Sequence, residues 1–105
     1  MTMKKLQEKV KKFSNENNLR CPIEYRVLDL VSEIGEFSKE ILKSSNYGKE
    51  KVKFKQEMKL ELGDILFVLI IIANHFNIDL EEALDKVIDK YDKRLRKGSI
   101  GSENE

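Results

Sequence analysis

Leu60-Glu61-Leu62-Gly63-Asp64-Ile65-Leu66-Phe67-Val68-Leu69-Ile70-Ile71-Ile72-Ala73 is the stretch that decides the fold. Two carboxylates, Glu61 and Asp64, open an apolar run broken only by Gly63. A run this apolar is buried, which sets the carboxylates at the edge of an interior. Unpaired charge there is costly, so such groups are neutralised by a partner or a metal. A second pair with the same spacing, Glu33 and Glu36, lies upstream. Residues three apart on a helix share a face. If the two helices pack antiparallel, the four carboxylates converge.

The 105 residues make one small domain. The chain is 40% hydrophobic and 37% charged, with one proline and five glycines, a mixture that suits amphipathic helices. Twenty basic and 19 acidic residues leave a formal charge of +1. That near-balance carries no electrostatic footprint for nucleic acid. Cys21 is the single cysteine, so no intrachain disulfide forms. The N-terminus carries no signal-peptide core. The apolar run Ile65 to Ala73 is 9 residues, against roughly 20 for a membrane span. The expectation is a soluble, cytoplasmic protein without a membrane partner.

Leu6, Val10 and Phe13 recur at helical spacing and define a first helix capped by Thr2. Asn15 to Asn18 form a polar connector, and Pro22 with Glu24 marks a helix start. The second helix is expected over 23–43, with Val27, Leu30, Ile34, Phe37 and Ile41 as its apolar stripe. Asp29, Glu33, Glu36 and Glu40 fall on one flank beside it. Gly35, between the two glutamates, serves either close helix packing or room for a ligand. A turn at 44–48 leads to a third helix over 51–75, apolar nearly all round in its second half. One small bundle does not cover such a helix, so part of it is expected to meet another subunit. Asp79, with Glu82 three residues on, caps a fourth helix carrying Leu80, Leu84, Val87, Ile88, Tyr91 and Leu95 on one face. The domain is expected over 1–97, with 98–105 as a mobile tail.

Oxygen-only ligands select magnesium or manganese over zinc or copper. A four-carboxylate site with open positions points to phosphate-ester or phosphoanhydride chemistry. The alternative reading of each pair is a solvated helix face, since charged pairs at this spacing are common. A di-iron bundle would require Glu-x-x-His pairs, and neither pair contains histidine. His75, the one histidine, reads as a boundary residue near a helix end, and Cys21 as structural or incidental. No Gly-rich phosphate loop is present. Phosphate contacts would come from scattered cations, with Lys90 and Arg94 one turn apart on the fourth helix.

Ser32-Glu33-Ile34-Gly35-Glu36-Phe37 and Glu61-Leu62-Gly63-Asp64-Ile65-Leu66-Phe67, with 24 residues between Glu36 and Glu61, resemble the all-α nucleotide pyrophosphohydrolases of the MazG type. The signature of that family is Glu-x-x-Glu, a spacer, then Glu-x-x-Asp. The similarity extends through Ala73-Asn74 and Ile78 to Leu84 as far as Leu95. The resemblance implies an all-α four-helix bundle that assembles as a homodimer or homotetramer. It implies hydrolysis of a nucleoside triphosphate, NTP or dNTP, to the monophosphate and pyrophosphate with Mg2+, or Mn2+ in its place. It implies Glu33, Glu36, Glu61 and Asp64 as catalytic metal ligands and Lys90 and Arg94 as triphosphate contacts. Asn74 would meet the sugar or base. Many members carry adjacent glutamates where this chain has Ser32, which bears on the number of ions and the general base. Two other functions stand beside this one: a catalytically silent helical interaction module, and hydrolysis of another nucleotide such as phosphoribosyl-ATP. Of the aromatic residues, Tyr25 and Tyr47 lie near the motif helices, and Tyr47 is expected to pack on the bundle.

Overall fold

A computed structural model describes residues 1–98. Four helices follow in order: α1 Met3–Glu16, α2 Ile23–Ser44, α3 Gln56–His75 and α4 Leu80–Arg96. There is no strand among the described residues. The expected tail from residue 99 on lies outside them.

Helix ends follow local chemistry. The Thr2 hydroxyl accepts a hydrogen bond from the Lys5 N–H at 3.2 Å and caps α1. Three helices then end in the same way. An asparagine just past the cap takes positive φ, at 53° for Asn18, 48° for Asn46 and 54° for Asn77. The next N–H reaches back five residues: Leu19 to the Ser14 carbonyl, Tyr47 to the Leu42 carbonyl, and Ile78 to the Ala73 carbonyl. These are Schellman closures, with asparagine tolerating the left-handed backbone usually given to glycine. Gly98, at φ 90°, takes the same place after α4.

The third helix starts at Gln56, five residues later than the charge pattern implied. Lys51-Val52-Lys53-Phe54-Lys55 alternates with period two and holds cations that oppose a helix N-terminus. The segment stays non-helical, and the first acidic group, Glu57, falls inside the first turn of α3. Tyr47 does not pack on the helices as expected. Its backbone is left-handed and its side chain is 68% exposed.

The α2 and α3 helices form an antiparallel hairpin with the most extensive interface in the chain, and α1 lies across α3. The Phe13 and Phe67 rings meet edge to face at 6.1 Å across that second contact. The chain bends by 102° between α3 and α4, and α4 packs on α1. This corner is pinned by Gln7, a buried residue. Its side-chain N–H donates to Asn74 Oδ1 at 3.1 Å and to the Ile78 carbonyl at 2.8 Å. Its Oε1 accepts from the Leu80 N–H at 3.0 Å. Asn74 Nδ2 returns a bond to the Gln7 carbonyl at 3.0 Å. Asp79 caps the next two N–H groups of α4, from Glu81 and Glu82. Glu82 itself turns to Lys86 at 3.0 Å.

The core is small. Met58, Val68, Ile70 and Ala73 of α3 are its buried apolar residues. The stripe expected to face inward on α4 is largely open, with Leu84 55% and Leu95 62% exposed, and that on α2 is partly so, with Val27 46% and Ile34 50% exposed. The radius of gyration is 16.9 Å, against ~13 Å for a compact chain of this length. No single described helix is long and apolar enough to cross a membrane.

Gln7→Ala removes three side-chain hydrogen bonds at one buried corner. The expected loss is about 2 kcal/mol, because the Ile78 carbonyl and Leu80 N–H are left without their partner. Urea unfolding of the variant measures this, and a change within a few tenths of a kcal/mol would show that the corner does not depend on Gln7.

Candidate metal centre

The α2–α3 hairpin decides where the carboxylates meet. Glu33 lies midway along α2, and Glu61 and Asp64 lie in the first half of α3. One carboxylate oxygen from each of the three lies within 4.8 Å of the others. Glu33 and Glu61 are half-buried and Asp64 is exposed, so the group has a dry side and an open side. Ligands of one small divalent ion bonded at about 2.0–2.6 Å stand within such separations of one another. The three oxygens therefore fit a hard cation, with positions left for water or substrate oxygens.

Glu36 is outside this trio. It stands one turn beyond Glu33, half exposed, with its carboxylate 3.8 Å from the Lys39 ammonium. An exposed pair at that distance holds it only weakly. Its charge still reaches the site. Partial burial pushes the Glu61 carboxyl above its ordinary value, and the charges of Asp64, Glu33, Glu36 and Glu40 push it the same way. Glu40, placed on this flank by helical spacing, thus belongs to the same electrostatic neighbourhood and is half-buried. The sequence signal for it was its position two turns from Glu33; nothing in the motif spacing marks it.

The two motif glycines are explained by space. A Cβ built on Gly35 or Gly63 would meet nothing within 4 Å. Close packing within the chain is therefore not their reason. Both leave open volume next to a carboxylate.

The remaining sequence candidates lie elsewhere. Lys90 and Arg94 sit one turn apart on α4 and flank the Tyr91 ring, at 5.5 and 5.8 Å from its centroid. Arg94 is buried. Their helix packs on α1, away from the hairpin interface that gathers the acids. Asn74 has its amide engaged by Gln7. His75 is exposed at the end of α3, edge-on to Phe76 at 4.8 Å.

With this geometry in place, comparison with known proteins is informative. Residues 23–98 match the MazG nucleotide pyrophosphohydrolase domain. Over 68 residues the chain is 40% identical to YpjD of Bacillus subtilis strain 168, an uncharacterized protein; the match spans 62% of this chain and 60% of that one. The solved structure of YpjD from Bacillus subtilis superposes with a TM-score of 0.73 at 33% identity, covering 87% of this chain and 95% of that one. The crystal structure of the Bacillus-conserved MazG protein, a nucleotide pyrophosphohydrolase, also gives 0.73 and 33%, covering 87% and 89%.

Like charges gathered at Glu61 make a signed prediction. Its carboxyl is held above the ordinary glutamate value in the folded chain. Between those two values the native state binds more protons than the unfolded one. The stability this group contributes is complete below the ordinary value and is lost as pH rises through the folded one. A divalent ion at saturating concentration should restore stability at neutral pH, by about 2.7 kcal/mol at a hundredfold excess over its Kd. Asp64→Asn should be more stable than the parent without metal and should gain little from it. Thermal melts at pH 4 to 8, with and without MgCl2, test this; equal metal response in both proteins would refute the shared site.

Proposed function

This chain belongs to the MazG nucleotide pyrophosphohydrolase family, and from that premise we propose that it hydrolyses nucleoside triphosphates to the monophosphate and pyrophosphate with magnesium. The supporting observation is the meeting of Glu33, Glu61 and Asp64 oxygens across two helices. The curated relative is matched over 60% of its length, so activity and substrate are read from the site. In this reading Glu33, Glu61 and Asp64 hold the ion. Glu36 completes the set from the rim, where its carboxylate is in reach of both ion and solvent. The ion supplies charge neutralisation at the phosphates and a more acidic water.

The chain's own residues do the rest. Glu36 is exposed and stands outside the trio, so it suits the task of orienting a water against the α-phosphorus and taking its proton. A P–O bond forms from that water, the bond to the β-phosphate oxygen breaks, and the electron pair leaves with pyrophosphate. The open volume beside Gly35 and Gly63 gives the phosphates room to approach the acids. Lys90 and Arg94 are assigned to the triphosphate as charge partners.

That last assignment requires a second copy of the chain. The α4 helix turns away from the hairpin by 102°, and its apolar face at Leu84, Ile88 and Leu95 is open. An unpartnered apolar face of this extent marks an association surface. We therefore assign the working form to a homodimer or homotetramer in which α4 of one copy approaches the acids of another. Asn74, whose amide is taken by Gln7, acts in this scheme by setting the direction of α4.

Pyrophosphate release is measured from a panel of triphosphates, with phosphoribosyl-ATP included. Turnover with Mg2+ or Mn2+ is expected, and Asp64→Ala should lower it by about 10²-fold or more, the scale for removing a group that stabilises developing charge. A folded parent protein that turns over nothing favours the interaction module, for which Ser32 and the open apolar face already speak. A variant that keeps most of its activity removes Asp64 from the site.

Sedimentation at micromolar concentration tests the assembly. The parent should run at two or four times 12.3 kDa, and Leu84→Lys with Ile88→Lys should run as a monomer. A monomeric parent would overturn the shared-site arrangement.

A further inference from the structure

A cavity lies at the end of α2, next to the turn that leads to α3. Its volume is about 340 Å³, within the ~300–1,000 Å³ range of small-ligand clefts. Lys39, Leu42, Lys43 and Tyr47 line it. Two observations fix its place relative to the metal centre. The Lys39 ammonium in its wall stands 3.8 Å from the Glu36 carboxylate. Lys43 follows Glu36 by seven residues on α2. Seven residues are two helical turns, so the two share a flank about 10 Å apart. A phosphate held at the carboxylates thus has the cavity within a nucleoside's length of it.

Tyr47 sets the character of the wall. Its ring is 68% exposed, and its backbone holds φ 58°. Left-handed backbone is an outlier for a bulky residue and persists only where the surroundings impose it. They do so here. The Tyr47 N–H donates to the Leu42 carbonyl at 2.7 Å. Ser45 is buried; its Oγ accepts from the Gly48 N–H at 3.0 Å and its carbonyl from the Glu50 N–H at 2.9 Å. Glycine at position 47 would close the same turn without strain. The chain instead presents an aromatic ring from a fixed backbone, beside two ammonium groups and a Leu42 side chain that is itself 44% exposed. A bare anion would use the lysines and leave the ring and Leu42 idle. A ligand with a flat apolar part joined to an anion uses all four.

We propose that Tyr47 is the platform on which the base of the nucleotide stacks, with Leu42 against its apolar part and Lys39, the lysine beside Glu36, toward the phosphates. Every base has a π-face, so the contact serves purines and pyrimidines alike. The proposal rests on the pyrophosphohydrolase reading for its orientation, because the phosphates must point along α2 to Glu33, Glu61 and Asp64.

Two variants of the full chain decide it. Tyr47→Phe keeps the ring. Tyr47→Gly removes it and suits the left-handed backbone, so it folds, as a thermal melt checks. Calorimetry in MgCl2 compares AMP and UMP with ribose 5-phosphate, which carries the sugar and phosphate but no base. The parent and Tyr47→Phe should bind both nucleotides about tenfold more tightly than the sugar phosphate, the scale of one base–aromatic stack. Tyr47→Gly should erase that difference and keep its affinity for ribose 5-phosphate. In turnover its loss should fall on KM, by about tenfold for ATP and UTP alike. If no triphosphate is hydrolysed but the ring still separates nucleotides from the sugar phosphate, the catalytic reading fails and the platform stands. Equal affinity of the parent for AMP, UMP and ribose 5-phosphate overturns the platform. So does a Tyr47→Gly protein that keeps the nucleotide advantage; if it also sediments as a smaller species, the ring is a contact between copies.

Discussion

Three negative groups held within 4.8 Å of one another are the constraint around which this chain is arranged. Such a set repels itself, and the proton affinity of Glu61 is raised, by burial first and then by the neighbouring acids. A protein has no stability reason to build that. The hairpin nevertheless brings Glu33 to Glu61 and Asp64, because the apolar residues of α2 and α3 fix the register between the helices. Burial of Val68, Ile70 and Ala73 further along α3 supplies the favourable term. The acids sit at the edge of that contact, where water still reaches Asp64. Stability is thus given up at one end of the interface and recovered at the other.

A second constraint follows from how little of the chain is core. Among the described residues four apolar ones are buried, all from one helix. The corner fixed by Gln7 and Asn74 sends α4 away from the hairpin and leaves its apolar stripe uncovered. An isolated bundle of this length would fold α4 back along α2. Here four hydrogen bonds between the α1 and α3–α4 residues hold it out. The energy spent on pinning the corner makes sense when the open face is an interface, since the direction of α4 then decides what it touches.

Much of this was legible in the residues, and what was not has physical causes. The four helices, the Thr2 and Asp79 caps and the pairing of the acids follow from periodicity and capping chemistry, which are local. The start of α3 was misjudged because residues 51–55 carry helix-compatible charges whose sign opposes a helix N-terminus; only the dipole argument separates the two. Tyr47 was expected to pack, yet Asn46, Tyr47 and Gly48 all turn left-handed, and that geometry throws the ring outward. Asn74 resembled a ligand contact by family position. Its side chain is also bonded to Gln7, 67 residues away, and nothing local announces a bond of that span.

The split between Glu36 and the other acids carries the chemistry furthest. Helical spacing puts Glu33 and Glu36 about 60° apart in azimuth, so when Glu33 points across to α3, Glu36 points past it toward solvent. The Lys39 ammonium, 3.8 Å away and exposed, holds that carboxylate only loosely. A single three-residue spacing on one helix thus gives two glutamates different surroundings, and the open volume at Gly35 lies between them in the chain. A side chain at position 35 would raise helix propensity while filling space next to Glu36.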